Sequence, residues 1–359
     1  MNFASDNTTG AAPEVAAAVA RANSAAHAMP YGADPLTRGL TAKFSRLFER
    51  EVAVFPVATG TAANVLGLSL VLPTYGGVFC LESSHIYGDE VTATEMYTGG
   101  GRPIPLPGVD GKLLVPELAK AIAQHRPGNT HTVQPAAVSI TQISEMGHVY
   151  SPGEIARLAK LAHRHKLAVH MDGARFANAV AALGCRPADI TWRAGVDILS
   201  FGGTKNGCFG AEAVVVFDKA RAASFLYRRQ RAGHTFSKMR FLSAQLDAYV
   251  HKGLWLELAR HSNAMMRRLA NGLARIPDIE LRTTPRANIA FVNFPNPVWR
   301  ALEKAGFTFY HWGNAHWHTA RLVTAFSTDP ADVDRFVAAA RAASSGRKPK
   351  RPMSFLPRF

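Results

Sequence analysis

The sequence predicts an α/β protein: a large domain on a mostly parallel, seven-stranded-type sheet covered by helices, followed by a small C-terminal α+β domain. Three observations carry that expectation. From residue 52 to about 217, short apolar runs rich in branched residues alternate with segments of helical spacing, the pattern of strands buried on both faces and joined by helical crossovers. Near residues 230–255 the alternation gives way to a long helical stretch. The chain of 359 residues, 47% hydrophobic and 19% charged, also has the length and apolar content for one large core and a second, smaller one.

The elements follow in order. Residues 1–15 read as an irregular arm, with Ser5-Asp6-Asn7-Thr8-Thr9-Gly10 as turn material. An alanine-rich helix spans 14–28, and Tyr31-Gly32-Ala33-Asp34-Pro35 breaks it. Helical spacing resumes over 36–49, with Leu40, Phe44, Leu47 and Phe48 as its apolar stripe. A strand at 52–57 leads into Thr59-Gly60-Thr61, which opens a helix reaching about residue 72. Further strands are expected at 78–81, 136–141, 167–171, 196–200 and 213–217. Ser151-Pro152-Gly153-Glu154 starts a helix that ends near His165, because Ser151 and Glu154 form a capping box and Pro152 fits a first turn. Beyond the helical stretch come a helix at 261–276, strands near 280 and at 288–294, a helix at 297–305, a strand at 321–325 and a last helix at 330–343. The expected division is an arm (1–15), a large cofactor-binding domain (16–250), a small domain (251–343) and a basic tail (344–359).

Composition excludes several classes. No apolar run is long enough to cross a bilayer, and the N-terminus lacks the basic and apolar regions of a secretory signal. Cys80, Cys185 and Cys208 are odd in number and far apart, which suits reduced thiols in a cytoplasm and neither a disulfide framework nor a zinc knuckle. The net charge of +15 raises a basic nucleic-acid-binding protein as the alternative of a different class. Its distribution argues against that: no acid follows Asp334, whereas Arg335, Arg341, Arg347, Lys348, Lys350, Arg351 and Arg358 do, so much of the excess is a tail. His311, His316 and His318 lack a neighbouring cysteine or carboxylate, so no metal is expected there; they read as lining a substrate entrance or a subunit contact.

Four features carry chemistry, each placed where a parallel sheet would gather them at the carboxyl ends of its strands. The run Asp197-Ile198-Leu199-Ser200-Phe201-Gly202-Gly203-Thr204-Lys205-Asn206-Gly207 delivers a lysine at a strand mouth, on a loop whose glycines let a ligand approach, and a lysine there can form an imine with a carbonyl. Asp172 ends an apolar strand, where a carboxylate needs a cation; Arg175 follows, and the two either pair with each other or serve a ligand. Gly60 and Thr61 open a helix whose free N–H groups suit a phosphate. His85, beyond the strand ending at Leu81-Glu82, offers a flat ring that stacks on an aromatic ligand. A lysine, a carboxylate, an arginine, a phosphate cradle and a stacking ring together suit one cofactor, pyridoxal phosphate.

With these residues in place, the chain resembles the low-specificity L-threonine aldolases, pyridoxal enzymes of the aspartate-aminotransferase-like fold (fold type I). The segments that carry the likeness are Ser5-Asp6-Asn7, Tyr31-Gly32 with Asp34-Pro35, Gly60-Thr61-Ala62-Ala63-Asn64, Ser84-His85, His170-Met171-Asp172-Gly173-Ala174-Arg175, Phe201-Gly202-Gly203-Thr204-Lys205-Asn206-Gly207 and Ala320-Arg321-Leu322-Val323-Thr324. The resemblance implies cleavage of L-threonine, L-allo-threonine and related β-hydroxy-α-amino acids to glycine and an aldehyde. It implies Lys205 as the Schiff-base lysine, Asp172 on the pyridinium nitrogen, Arg175 on the ring hydroxyl or substrate carboxylate, and Gly60 and Thr61 on the phosphate. It also implies His85 stacked on the ring, with Ser5, Tyr31 and Arg321 contacting the substrate, and a further phosphate cation, Arg240, from a basic loop often lent by a neighbouring subunit of a homodimer or homotetramer. A β-eliminating lyase or an aminotransferase of the same fold would carry a similar cofactor site. One departure stands out. Many such aldolases carry Glu-Asn-Thr-His after the strand matching 136–140, where this chain has Thr141-Gln142-Ile143-Ser144-Glu145, leaving Gln142, Glu145 or water for the acid–base role.

Overall fold

The structure is a computed structural model that describes residues 1–24, 27–312 and 319–346. Its strands are β1 (Ala53–Val57), β2 (Gly76–Leu81), β3 (Arg102–Leu106), β4 (Gly108–Val109), β5 (Lys112–Leu113), β6 (Gln134–Thr141), β7 (Ala168–Gly173), β8 (Ile198–Gly202), β9 (Glu212–Val216), β10 (Glu280–Leu281), β11 (Ile289–Asn293), β12 (Tyr310–Trp312) and β13 (Thr319–Val323). The main sheet runs β1-β9-β8-β7-β6-β2-β3. Pairing is parallel from β8 through β3, while β9 is antiparallel to both β8 and β1. Every residue of β2, β7, β8 and β9 is buried, as continuous apolar runs require once helices cover both faces. The predicted class therefore stands: seven strands, mostly parallel, with a separate four-stranded antiparallel sheet β10-β11-β13-β12 toward the C-terminus.

Four strands escape the sequence pattern: β3, the two-residue β4 and β5, and β12. β3 reads Arg102-Pro103-Ile104-Pro105-Leu106, and two prolines argue against a strand in a sheet interior. It pairs only with β2, at the sheet edge, where the missing N–H donors do no harm. β12 is three residues long and runs up to the stretch 313–318, which holds His316 and His318 and lies outside the described residues.

The arm is more ordered than its turn-rich composition suggests. Phe3 N–H donates to Thr308 O at 2.7 Å, and Val323 N–H donates to Phe3 O at 2.8 Å, so the arm extends the small sheet's bonding. The Phe3 ring packs edge-on against Phe336 at 5.1 Å inside the second core. Just beyond it a 3-10 turn, Asp6–Thr8, carries the chain into the large core, and the first helix, Pro13–Ser24, follows. The helix Leu254–Leu273 joins the two cores along its length: Trp255 and Ala259 pack in the large one, Met265, Met266, Leu269 and Leu273 in the small one.

Candidate active site

Sheet register determines which strand ends meet. Thr141 of β6 pairs with Asp172 of β7, and Asp172 with Ser200 of β8, so three consecutive strands stop at one level. Asp172 is buried there; Asn64 Nδ2 donates to its Oδ2 and Ala174 N–H to its Oδ1, each at 2.9 Å. Asn64 lies on the helix Gly60–Ser69, whose Thr59 Oγ1 accepts from Ala62 N–H at 3.1 Å. That cap leaves the first two N–H groups, those of Gly60 and Thr61, without an acceptor inside the helix. A Cβ built on Gly60 meets no atom within 4 Å, so the space before this helix end is open.

Lys205 sits in the 3-10 turn Thr204–Asn206 directly after β8. Asn206 pins the turn by donating to Tyr249 Oη at 2.7 Å and Trp255 O at 2.8 Å. The Gly202-Gly203 pair serves a different purpose from the one the sequence suggested. A Cβ on Gly202 would lie 2.5 Å from Ala174 O, and one on Gly203 would lie 2.5 Å from Ala211 O. Those glycines admit neighbouring backbone, not a ligand. Burial, reinforced by the Arg175 charge, lowers the Lys205 pKa, while Asp6, Asp172 and Glu212 pull it back up. The ε-amine thus lies within the electrostatic reach of Asp172.

Arg175 departs from the first of its two sequence readings, a pair with Asp172. Its Nε and Nη2 instead donate to Asp6 Oδ2 and Oδ1 at 2.7 and 2.8 Å, a buried two-pronged pair. Asn288 Nδ2 adds a third bond to Asp6 at 3.0 Å. Burial works against the Asp6 charge, but the Arg175 guanidinium outweighs it and holds the carboxyl below its usual range. Next to Asp6, Ser5 Oγ accepts from Asn7 N–H at 3.1 Å. Arg321 lies on β13, paired with Phe291 and Tyr310 across the sheet, with its guanidinium 5.8 Å from the Trp312 ring centre. Its Nε is buried without a hydrogen-bond partner, and burial followed by the nearby Arg175 charge lowers its pKa to about 10. Among the described residues no carboxylate forms an ion pair with it. A half-buried cation with an unpartnered donor can take a ligand's anion.

His85 Nδ1 bonds Glu90 Oε1 at 2.9 Å, and Asn64 Nδ2 reaches both Glu90 Oε1 and Asp172 at 2.9 Å. His85, Glu90, Asn64 and Asp172 thus form one chain of hydrogen bonds. The Glu90 bond raises the His85 pKa against the pull of burial. Of the two residues that replace the aldolases' histidine, Gln142 is committed elsewhere: its amide donates to Tyr150 O at 2.8 Å and accepts from Tyr150 N–H at 3.0 Å. Glu145 faces the pocket, with Oε1 accepting from His85 N–H at 3.0 Å and Thr141 Oγ1 at 2.9 Å.

Tyr31 and Arg240 stand apart from this cluster. Tyr31 is 61% exposed with φ at 57°, and its N–H donates to Ser237 O at 3.0 Å. Arg240 begins the helix Arg240–Val250 and donates to Ala22 O at 3.4 Å. Four participants carry no role in the sequence reading: Asp6, Asn64, Glu90 and Glu212. Asp6 and Asn64 lie inside the motif segments that carry the family likeness. Glu212 was detectable as a lone carboxylate in an apolar run; its Oε2 accepts from Gly203 N–H at 3.2 Å and its Oε1 from Thr204 N–H at 3.4 Å, bracing the lysine turn. Among the described residues no cluster of His, Cys, Asp or Glu is arranged to hold a metal ion.

Residues 2–295 match the beta-eliminating lyase family. The chain belongs to this family. Among its relatives, a low specificity L-threonine aldolase from a Pseudomonas species is 39% identical over 345 residues, spanning 96% of this chain and 98% of its own. One from Pseudomonas aeruginosa is 40% identical over 310 residues, spanning 86% and 89%. A threonine aldolase structure from Leishmania major has a TM-score of 0.89 at 26% identity, covering 95% of this chain and 98% of that one. The family resemblance read from the motif segments is borne out along nearly the whole chain. The donor set also fits pyridoxal phosphate: an open helix end for the phosphate, a carboxylate for the ring nitrogen, a buried amine, and an arginine awaiting an anion.

Proposed function

We propose that this protein is an aldehyde-lyase that uses pyridoxal phosphate to cleave L-threonine, L-allo-threonine and related β-hydroxy-α-amino acids to glycine and an aldehyde. The observation that carries the reading is that Lys205, in the turn after β8, and Asp172, in β7, are buried within electrostatic reach of each other, while the Arg321 Nε is buried without a partner. Pyridoxal phosphate, when bound, supplies an aldehyde for amines and a protonated ring that accepts the electron pair of a bond broken at Cα. Lys205 offers an amine that burial and Arg175 keep neutral to lower pH than a free lysine, which favours its nucleophilic form. Asp172, held by Asn64 and the Ala174 N–H, keeps a proton on the ring nitrogen. Gly60 and Thr61 would hold the phosphate through helix N–H groups, and His85 would offer its ring to the cofactor. Arg321 and Ser5 hold the substrate carboxylate, and holding it selects which bond at Cα breaks. Arg175, braced by Asp6, lines the same pocket as a fixed positive charge.

We assign Tyr31 and Arg240 to the site of a neighbouring subunit in a homodimer or homotetramer. Their separation from the pocket of their own chain supports this, as does the exposure of Leu226, Tyr227 and Phe209 at 55%, 80% and 58%. A cytoplasmic setting suits the free cysteines, two of them buried; among the described residues no helix is long and apolar enough to cross a membrane.

The test is product analysis. Purified protein with L-threonine is expected to release equimolar glycine and acetaldehyde, and Lys205→Ala to lose at least about 10³-fold of that rate, as expected when a covalent nucleophile is removed. Pyruvate with ammonia from serine would instead identify a β-eliminating lyase, and a keto acid an aminotransferase. Salt-sensitive nucleic-acid binding by a colourless protein would overturn the enzyme reading.

A further inference from the structure

The position after β6 at which this chain departs from the aldolase pattern holds a carboxylate with one oxygen uncommitted. Glu145 lies four residues beyond Thr141, the residue that pairs with Asp172 across the sheet. Its Oε1 takes two hydrogen bonds, from the His85 N–H and the Thr141 hydroxyl. Its Oε2 is buried and has no partner from another residue. The carboxylate acts electrostatically on Arg175 and Arg321 and is repelled by Asp172, so it lies within electrostatic reach of all three.

Resting on the aldolase reading, we propose that Glu145 Oε2 takes the proton of the substrate β-hydroxyl as the Cα–Cβ bond breaks. The O–H electron pair becomes the second bond of the departing aldehyde's C=O, and the Cα–Cβ pair stays with Cα. Glu145 is then a neutral carboxyl. The cycle closes when Cα takes up a proton to give glycine and Oε2 releases its own.

Two neighbouring groups are less suited to that role. Gln142 has no basic group, and both ends of its amide are bound to the Tyr150 backbone. His85 has Nδ1 committed to Glu90, in the chain of hydrogen bonds that runs on through Asn64 to Asp172. Glu145 has the proton affinity the step requires. Burial, aided by the Asp172 charge, lifts its pKa to about 7, against the two hydrogen bonds at Oε1. A proton acceptor works best when its pKa lies near the working pH. The other titratable groups around it, Cys80 and Tyr150, are pushed up by burial and stay neutral through that range.

Glu145→Gln keeps a carbonyl oxygen for the His85 N–H and removes only the basic oxygen. In holoenzyme, kcat for L-threonine should fall about 10²–10³-fold, the usual scale of general base catalysis, with KM changed less than about threefold. Exchange of the glycine α-proton with D2O, which involves no β-hydroxyl, should stay within about threefold of wild type. Glu145→Asp should recover at least about tenfold over Glu145→Gln, since it restores a carboxylate. In cofactor-free protein, the infrared carboxyl absorbance lost as pH rises through neutrality should be smaller in Glu145→Gln than in wild type, with Glu212 supplying what remains. Unchanged cleavage in Glu145→Gln, parallel loss of exchange and cleavage, or no recovery in Glu145→Asp would each overturn the assignment. Wild-type protein that releases no aldehyde would overturn the aldolase reading itself, a distinct result.

Discussion

Single residues in this pocket are charged or neutral according to what lies against them. Arg175 stays ionised because Asp6 meets it with two hydrogen bonds, whereas Arg321 has no such acid and is pulled down to about 10 by burial. Glu145 and Glu212 are lifted by burial to about 7, above the ordinary 4.5. The sign of their effect on stability comes from that direction. A carboxyl whose folded pKa exceeds its unfolded one stabilises the fold fully below the unfolded value, and that contribution is lost as pH rises through the folded value. Glu145→Gln should therefore match wild type near pH 4.5 and exceed it above pH 7. For a shift from 4.5 to about 7 the gain is at most about 3 kcal/mol. Thermal melts of the cofactor-free proteins across that range measure it; a constant difference at all pH values would contradict it.

At the scale of elements, the lysine turn is a packing problem solved with glycine. The Gly202 Cα sits so close to the chain at Ala174 that an added Cβ would meet its O, C and Cα at 2.5, 2.7 and 2.8 Å. All three are backbone atoms and cannot swing aside. Gly202→Ala must push β8 and the segment after β7 apart, which separates Lys205 from Asp172. Overpacking of this kind costs about 1–3 kcal/mol, so the variant should unfold at lower urea and bind pyridoxal phosphate more weakly than wild type. Wild-type affinity in this variant would show that the turn tolerates the shift. The arm makes the complementary point: a segment with turn-forming composition is ordered by backbone bonds to β13, Thr308 and Gly207 and by the Phe3 ring, and it thereby delivers Asp6 to Arg175.

For the whole molecule, function requires two cores to hold one pocket. Asp172 and Lys205 come from the large sheet, Arg321 from the small one, and the helix Leu254–Leu273 passes through both cores. Asn178 ties them further by donating to Ser262 Oγ and Asn263 Oδ1 at 2.9 and 3.0 Å. In the absence of an anion, the Arg175 charge opposes those of both Lys205 and Arg321 across this junction. A phosphate- and aldehyde-bearing cofactor relieves that repulsion, so its removal should lower stability. At a concentration of a hundred times Kd, its binding contributes about 2.7 kcal/mol by mass action alone. Melts of the protein with and without pyridoxal phosphate check this; identical midpoints would mean that the pocket does not bind it.

Much of this was readable in the linear chain because it depends on local rules. Strands buried on both faces need continuous apolar runs, so β2 and β6–β9 were visible, and Ser151 and Glu154 announced their helix through capping alone. Lys205, Asp172 and Gly60 could be named because each follows or precedes such an element. Where the rule depends on neighbours, the chain was silent: β3 is a strand because its prolines face an edge, and Gly202 is glycine because Ala174 passes beside it. Asp6 meets Arg175 across 169 positions, and Glu145 acquires its raised pKa from walls built by β2, β6 and β7. Periodicity, capping and turn chemistry act over a few residues and are written in order along the chain. Desolvation and ion pairing act through space, and only the folded arrangement decides which charges share a pocket.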